Sequence, residues 1–167
     1  MMNEQYCECM VKRKVPGYSY VVVPIMITVC VLLWFMAIIG NFILMLVALA
    51  ASAGVYFYYR STRVEYEYVY VGGDLSFDRI QAQSRRKRMC TFDMDHTEIV
   101  APLTSHAMDS FQNKQMTVKD FTSKMPDRRV YVMVCNQDGK MTKVLFEPNE
   151  KLLNMMRMAA PRKVNIY

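Results

Sequence analysis

Hydrophobic positions form one long, uninterrupted block near the start of the chain. Residues 15–59 contain no Asp, Glu, Lys or Arg, a run of 45 residues. A single helix of that length would extend about 65 Å, roughly twice the hydrocarbon thickness of a bilayer. Two spanning helices fit instead, with Gly40-Asn41 as the turn-forming pair between them. The pattern therefore predicts a transmembrane helical hairpin over residues 20–59, with spans Tyr20–Ile39 and Phe42–Tyr59.

The charges that flank this block predict its orientation. Lys12, Arg13 and Lys14 precede the first span, Arg60 and Arg63 follow the second, and the tip of the hairpin is uncharged. Positively charged flanks remain on the cytoplasmic side of a membrane. We therefore expect a cell-membrane protein with two spans and both termini in the cytoplasm.

Two further features of the block leave alternatives open. Small residues recur at four-residue spacing in the second span, at Ala48 with Ser52 and at Ala50 with Gly54. They suit close packing against the first helix, and the same stripe would also support dimerisation. A cleaved signal peptide is the competing interpretation, on the basis of the sequence Ala51-Ser52-Ala53. The apolar stretch is much longer than the 7–15 residues of a typical signal peptide, which favours the hairpin.

After residue 60 the pattern changes to short alternating segments typical of β-strands. Strands are predicted over residues 64–71, 75–80, 86–92, 98–101, 129–136 and 141–146. Gly72-Gly73-Asp74 and Asp138-Gly139 are turn signals that predict two β-hairpins. Residues 103–127 have no clear period and are predicted to be a loop with some short structure. Residues 148–160 return to helical spacing, which predicts an amphipathic helix that covers the sheet.

The predicted fold class is therefore α+β: a two-helix transmembrane hairpin followed by a small antiparallel β domain closed by a C-terminal helix. We divide the 167 residues into a cytoplasmic N-terminal segment (1–19), the hairpin (20–59) and a cytoplasmic β-rich domain with its C-terminal helix (60–167). From residue 60 onward, 18 Lys and Arg oppose 13 Asp and Glu, a net charge of +5.

The order of strands and the helix after Phe146-Glu147-Pro148 resembles the bacterial pleckstrin-homology-like (PH-like) domains that often follow a pair of transmembrane helices. The whole chain also resembles an uncharacterised family of small two-span membrane proteins of Gram-positive bacteria. The residues that carry this second resemblance are Tyr66-Glu67-Tyr68, Gly73-Asp74-Leu75, Asp78-Arg79-Ile80 and Ser84-Arg85-Arg86-Lys87-Arg88. The resemblance implies a PH-like cytoplasmic domain and no assigned activity.

The most concentrated charge feature is the basic run Arg85, Arg86, Lys87 and Arg88. A cation near an anionic bilayer gains about 1 kcal/mol if it lies within a Debye length of the surface. We therefore predict these four residues as the binding residues for lipid or for a partner. Alternate residues of a strand face opposite sides, so the run could also be a solvated strand paired with neighbours such as Glu65, Glu67 and Asp78.

Other candidate chemistry is weaker. Asp93, Asp95, His96 and Glu98 match the spacing of no zinc or calcium site, and we predict no metal and no cofactor. The pair Cys7-Glu8-Cys9 is interpreted as two free thiols, with acylation beside the first span as the alternative. Five scattered cysteines indicate no disulfide framework and a reducing compartment. No nucleophile elbow or phosphate-cradling loop is present, so no catalytic residue is predicted.

These observations predict a membrane-anchored, non-enzymatic docking module whose cytoplasmic domain binds a partner protein or an anionic lipid surface. The expected partners are membrane lipid and either a protein or a second copy of the chain. Nucleic acid is not expected, because much of the positive charge is the asymmetry of a membrane protein. The alternative is an accessory subunit or regulator of a membrane enzyme or transporter, bound through the helical hairpin.

Overall fold

The computed structural model of the chain describes residues 6–40, 42–81, 85–111, 114–137 and 139–166. The chain divides into two compact units. Lys14–Val64 form a helical unit, and Met1–Arg13 together with Glu65–Tyr167 form a β-rich unit. The β-rich unit is therefore built from two separate stretches of sequence.

The helical unit contains the two predicted helices, α1 (Ser19–Ile38) and α2 (Phe42–Thr62). Both are long and apolar enough to cross a membrane, and only 6% of the most apolar stretch of each is buried. A core helix of a soluble domain would be mostly buried. The exposed apolar side chains of α1 and α2 are instead consistent with a membrane location. Gly40 adopts a positive φ of 119° after α1, whereas Asn41, the other half of the predicted turn, lies outside the described residues.

Part of the small-residue stripe of α2 packs within the helical unit. Ala48 is fully buried. The Ser52 hydroxyl accepts a hydrogen bond from Trp34 Nε1 at 3.0 Å and donates to the Ala48 carbonyl at 2.8 Å. Ala50 and Gly54 are exposed. Close packing against α1 therefore accounts for the first pair of small residues and not for the second.

The first sheet has the order β1-β2-β3-β4. Its strands are β1 (Tyr6–Lys12), β2 (Val64–Val71), β3 (Asp74–Gln81) and β4 (Arg85–Asp93). The sequence predicts a separate N-terminal segment over residues 1–19, and this needs correction because β1 pairs along its whole length with β2. Burial alternates along β1, with Cys7, Cys9 and Val11 facing the core. The two helices are therefore an insertion between two paired strands.

The second sheet has the order β5-β7-β8-β6. Its strands are β5 (Thr97–Pro102), β6 (Thr117–Asp120), β7 (Tyr131–Gln137) and β8 (Lys140–Phe146). The stretch predicted as loop, 103–127, contains a 3-10 helix over His106–Phe111 and β6, which pairs in parallel with β8. The six predicted strands are present, with ends within two residues of the prediction. Gly139 of the second predicted turn has φ 74°, and Asp138 lies outside the described ranges.

Aromatic side chains from both sheets form the centre of the β-rich unit. Phe77 of β3 is fully buried and stacks on Phe121 with ring centroids 4.8 Å apart. It also makes edge contacts with Tyr68 at 5.3 Å and with Phe146 at 5.7 Å. Such pairs add to the stabilisation that burial of the rings already provides.

The predicted C-terminal helix is confirmed as α3 (Glu150–Ala159). Asn149 is its N-cap, and the Asn149 side chain accepts a hydrogen bond from Leu152 N at 2.8 Å. Leu152, Leu153 and Met156 are buried, as the helical spacing predicts. The order of a helical pair, a sheet domain and a closing helix is therefore the predicted one.

A buried carboxylate fastens the segment between β6 and β7 to the end of β8. Glu147 Oε1 accepts hydrogen bonds from the backbone N and the hydroxyl of Ser123, both at 2.9 Å. The Tyr68 hydroxyl donates to the Phe121 carbonyl at 2.6 Å. These bonds hold Phe121 against the aromatic centre.

Candidate functional site

The basic run lies on β4, the edge strand of the first sheet. Residues opposite each other in an antiparallel pair share a face, and neighbours along a strand do not. Arg86 and Arg88 lie opposite Ile80 and Asp78, whereas Arg85 and Lys87 lie opposite Gln81 and Arg79. The four cations are therefore divided into two pairs on opposite faces of the sheet.

Arg86 and Arg88 face buried carboxylates. Arg86 Nε donates to Asp78 Oδ2 at 2.7 Å, and Arg88 Nε donates to Asp78 Oδ1 at 3.3 Å. Arg86 also pairs with Glu67 of β2 and approaches Glu8 of β1 at 3.9 Å. The side chains of Asp78 and Glu67 are only 3% and 5% exposed. These two arginines therefore neutralise buried acids, as the alternative interpretation of the run predicts.

Glu67 and Glu8 shift each other's pKa in opposite directions. Burial, and after it the hydrogen bond to Glu8, raise the pKa of Glu67 to about 7, although the positive charge of Arg86 opposes the shift. The same hydrogen bond, with one from Tyr6, lowers the pKa of Glu8. Glu8 is thus the ionised partner, and Glu67 gains its proton as the pH falls below about 7.

Arg85 and Lys87 face the other way, on the same side as Arg79. Lys119 of β6 adds a fourth cation, with its Nζ 5.4 Å above the Phe92 ring. We call Arg79, Arg85, Lys87 and Lys119 the cationic face. Within the part of the chain that the structure describes, none of these four side chains forms an ion pair with a carboxylate.

A cavity of about 250 Å³ opens beside Arg79 and Lys119. Its other lining residues are Tyr66, Met89, Asp120 and Phe121. The Arg79 Nε is buried and has no hydrogen-bond partner in the described ranges. A buried polar atom without a partner is rare in folded proteins and points to a missing acceptor.

The single carboxylate among the described residues that line this cavity is already neutralised. Asp120 Oδ1 accepts hydrogen bonds from the Thr122 backbone N at 3.0 Å and the Thr122 hydroxyl at 2.7 Å. Its other oxygen pairs with Lys124. Burial alone would raise the pKa of Asp120, but the bonds from Lys124 and Thr122 outweigh burial and lower it. Asp120 therefore stays ionised without cancelling the charge of Arg79 or Lys119.

Arg85, one of the four cations, lies at the end of the first sheet from which β1 and β2 continue into the helices. Lys12 pairs with Glu65, and Gln81 pairs with Arg85, at this same end. Arg13, the residue after β1, donates from its guanidinium to the Tyr66 hydroxyl at 2.9 Å. A further cation is thus bonded to Tyr66, one of the residues that line the cavity.

The acidic group Asp93, Asp95, His96 and Glu98 extends from the end of β4 to the start of β5. Asp93 Oδ1 accepts a hydrogen bond from the Asp95 backbone N at 2.8 Å, and Lys163 Nζ donates to the Asp95 carbonyl at 2.9 Å. Over the described residues, no group of three or more His, Cys, Asp or Glu side chains is arranged to hold a metal ion.

Both cysteines of the N-terminal pair lie on the core side of β1. Cys7 and Cys9 are buried, and the Cys9 thiol points at the Glu147 carbonyl, 4.0 Å away. Burial raises the pKa of Cys9. This environment favours free thiols over acylation sites, because an acyl chain requires an accessible thiol.

A larger cavity of about 750 Å³ lies elsewhere in the β-rich unit, between residues 102–106 and 128–131. Arg128, Arg129 and His106 line it, and the buried hydroxyl of Tyr131 donates to the Ile166 carbonyl at 3.1 Å. Among its described lining residues no buried side-chain atom lacks a partner, in contrast to the cavity at Arg79.

Two residues of the cationic face were not predicted from the sequence. The sequence contains a pattern that could have identified Arg79, because the alternation of the predicted second strand places it on the same face as Phe77. No sequence pattern identifies Lys119, because it lies in the stretch where no strand is predicted. The sequence also cannot separate Arg85 and Lys87 from Arg86 and Arg88 until the register is known.

Comparison with known proteins identifies the family. The model of the bacterial PH-like domain family (DUF6106) matches residues 3–166, so the chain belongs to this family. Neither the search of curated proteins nor the search of solved structures found a match. The matched range includes β1 and both helices as well as the β-rich unit.

Proposed function

We propose that this member of the bacterial PH-like family is a membrane-anchored, non-enzymatic docking module. Its helical hairpin crosses the cell membrane, and its β-rich unit binds the anionic lipid surface through the cationic face. The observation that carries the proposal is the division of the basic run. Arg86 and Arg88 are occupied by buried carboxylates, whereas Arg85 and Lys87 join Arg79 on a face without ion pairs among the described residues.

Membrane anchoring is supported by the two long apolar helices and their almost complete exposure. The flanking cations Lys12–Lys14, Arg60 and Arg63 favour a cytoplasmic position for both ends of the hairpin. The cytoplasmic leaflet is negatively charged, and it attracts basic residues within a Debye length of the surface. Arg85 lies at the end of the first sheet from which the chain continues into the helices, and this position supports the use of the cationic face against that leaflet.

The attraction between the cationic face and an anionic bilayer is strong enough to dock a tethered domain. At about 1 kcal/mol per cation near the surface, four cations contribute roughly 4 kcal/mol. A soluble protein would bind only weakly with this energy. A tether holds the domain at millimolar effective concentration near the bilayer. At that concentration the same energy keeps the domain bound to the lipid surface for a substantial fraction of the time. Binding of this kind weakens as salt rises, because exposed charges are screened.

Lysine labelling of the full chain tests the proposal. The protein is reconstituted in nanodiscs of phosphatidylcholine alone, or with about a third phosphatidylglycerol, and treated briefly with an amine-reactive acetylating reagent. Lys87 and Lys119 should label about fivefold more slowly on the anionic discs, the factor that corresponds to ~1 kcal/mol. Lys151 on α3 is the internal control and should not respond to lipid charge.

Equal labelling of Lys87 and Lys119 on both kinds of disc would contradict lipid docking. The role of accessory subunit or regulator, bound through the hairpin, would then be the remaining account. Loss of the protection in about 0.5 M salt is the expected behaviour of an electrostatic contact.

A further inference from the structure

We propose that the cavity beside Arg79 binds a single phosphate monoester group, with Arg79 and Lys119 as its principal ligands. This inference deepens the proposed function and depends on it, because it adds a specific anion site to the cationic face. A lipid headgroup or a free phosphate could supply the same chemistry.

The guanidinium of Arg79 is unsatisfied within the described part of the chain. The Arg79 Nε is buried with no hydrogen-bond partner in the part of the chain that is described, and Arg79 forms no ion pair there. Its register partner on β4, Lys87, is another cation and supplies no acceptor. An anion in the adjoining cavity would supply the acceptor that the protein lacks.

The hydrogen-bond donors around the cavity suit a phosphate group. Arg79 presents a planar fork suited to phosphate, and Lys119 presents a mobile point charge. The Tyr66 hydroxyl accepts from Arg13, and no described residue accepts its proton, so it can donate to a ligand. Three donors around one cavity match the three free oxygens of a phosphate monoester.

Charge favours a monoester over a diester. A phosphate monoester carries about −1.5 to −2 charges at pH 7, whereas the diester of a glycerophospholipid carries one. Arg79 and Lys119 together carry two positive charges, and Asp120 is already compensated by Lys124. The cavity of about 250 Å³ is several times the roughly 30 Å³ that a water molecule occupies, so a phosphate group fits.

The test compares two anionic lipids at matched surface charge. The full chain is placed in nanodiscs that contain phosphatidic acid, a monoester, or phosphatidylglycerol, a diester, with surface charge equalised by zeta potential. Lys119 labelling should be about tenfold slower on phosphatidic acid than on phosphatidylglycerol. In Arg79→Lys, which keeps the charge and removes the planar fork, this preference should disappear while protection by phosphatidylglycerol remains. Arg157→Lys, on α3 and outside the cationic face, is the matched control and should keep the preference.

Further outcomes separate this inference from the proposed function. Equal protection by the two lipids, unchanged in Arg79→Lys, would overturn the phosphate site and leave lipid docking intact. No protection by either lipid would contradict both. Inorganic phosphate is titrated against the protein in detergent as a second arm, and protection of Lys119 there would support the site with free phosphate as the source. Near-ultraviolet circular dichroism shows whether each variant keeps its fold.

Discussion

The basic run contains two pairs of cations that should respond oppositely to substitution. One variant changes Arg86 and Arg88 to Gln, and the other changes Arg85 and Lys87 to Gln, so each loses two positive charges from the same four residues. Because the first pair neutralises buried acids and the second has no ion pair in the described ranges, we expect only the first variant to be destabilised.

The magnitude follows from the burial of the carboxylates. Removing one partner of a buried ion pair costs about 3–5 kcal/mol, because it leaves a buried charge uncompensated. The Arg86 side chain is 51% exposed, so water replaces part of its interaction with Asp78 and Glu67. Glu67 can also take up a proton, since its pKa is about 7. These effects reduce the expected loss for the double variant to about 3 kcal/mol.

The Arg85→Gln and Lys87→Gln double variant should stay within about 0.5 kcal/mol of the parent, as is usual for exposed substitutions. The assay is thermal unfolding of the full chain in detergent, followed by near-ultraviolet circular dichroism of the tyrosine-rich domain. A loss of 3 kcal/mol should lower the unfolding midpoint by about 10 °C or more. Equal midpoints for the two variants, or a lower one for the Arg85 and Lys87 variant, would refute the assignment of faces.

Three further predictions concern stability of the same domain. Because burial raises the pKa of Glu67 from 4.5 to about 7, the folded state binds this proton more tightly than the unfolded state. The free energy of unfolding should therefore fall by at most about 3 kcal/mol as pH rises from 4.5 to 7, and the unfolding midpoint should fall with it. Glu67→Gln should reduce this dependence of the midpoint on pH. Glu147→Ala removes the acceptor of both Ser123 bonds and should cost about 2 kcal/mol in urea unfolding, with Glu147→Gln milder. Phe77→Ala should cost about 3–5 kcal/mol by the same assay, and a loss below 1 kcal/mol would contradict its central position.

Local patterns were enough to predict most elements of the fold. The charge-free run predicts both helices, and period-two alternation predicts six of the eight strands. The parallel strand β6 is only four residues long, and its sequence Thr-Val-Lys-Asp has little alternation. It is specified by its pairing with β8 rather than by its own pattern, which is why single-sequence reasoning does not find it.

The strand β1 was missed for a different physical reason. Its alternation is regular, but its partner strand begins at Val64, beyond the whole helical insertion. A seven-residue segment has no stable structure without that partner. The residues that alternate inward include Cys7 and Cys9, for which the sequence suggests free thiols or acylation sites and not a core face.

The sequence alone was enough to identify the segment that contains the candidate site, but not which of its side chains form a common surface. All four cations of the run were identified from the sequence, but which of them are free depends on the pairing of β4 with β3. A β-bulge between Phe77 and Asp78 shifts that register by one residue, and such a shift exchanges the two faces of a strand. The separation of Arg85 and Lys87 from Arg86 and Arg88 therefore required the fold.

The most direct test of lipid docking is Lys119 labelling on anionic and neutral nanodiscs in the two double variants. With Arg85 and Lys87 changed to Gln, the loss of two cations removes about 2 kcal/mol, which lowers the equilibrium constant for docking roughly 30-fold. Protection by anionic lipid should then vanish, whereas the variant at Arg86 and Arg88, measured at a temperature where it is folded, should keep it. Protection that survives loss of Arg85 and Lys87 would contradict the proposed role of the cationic face.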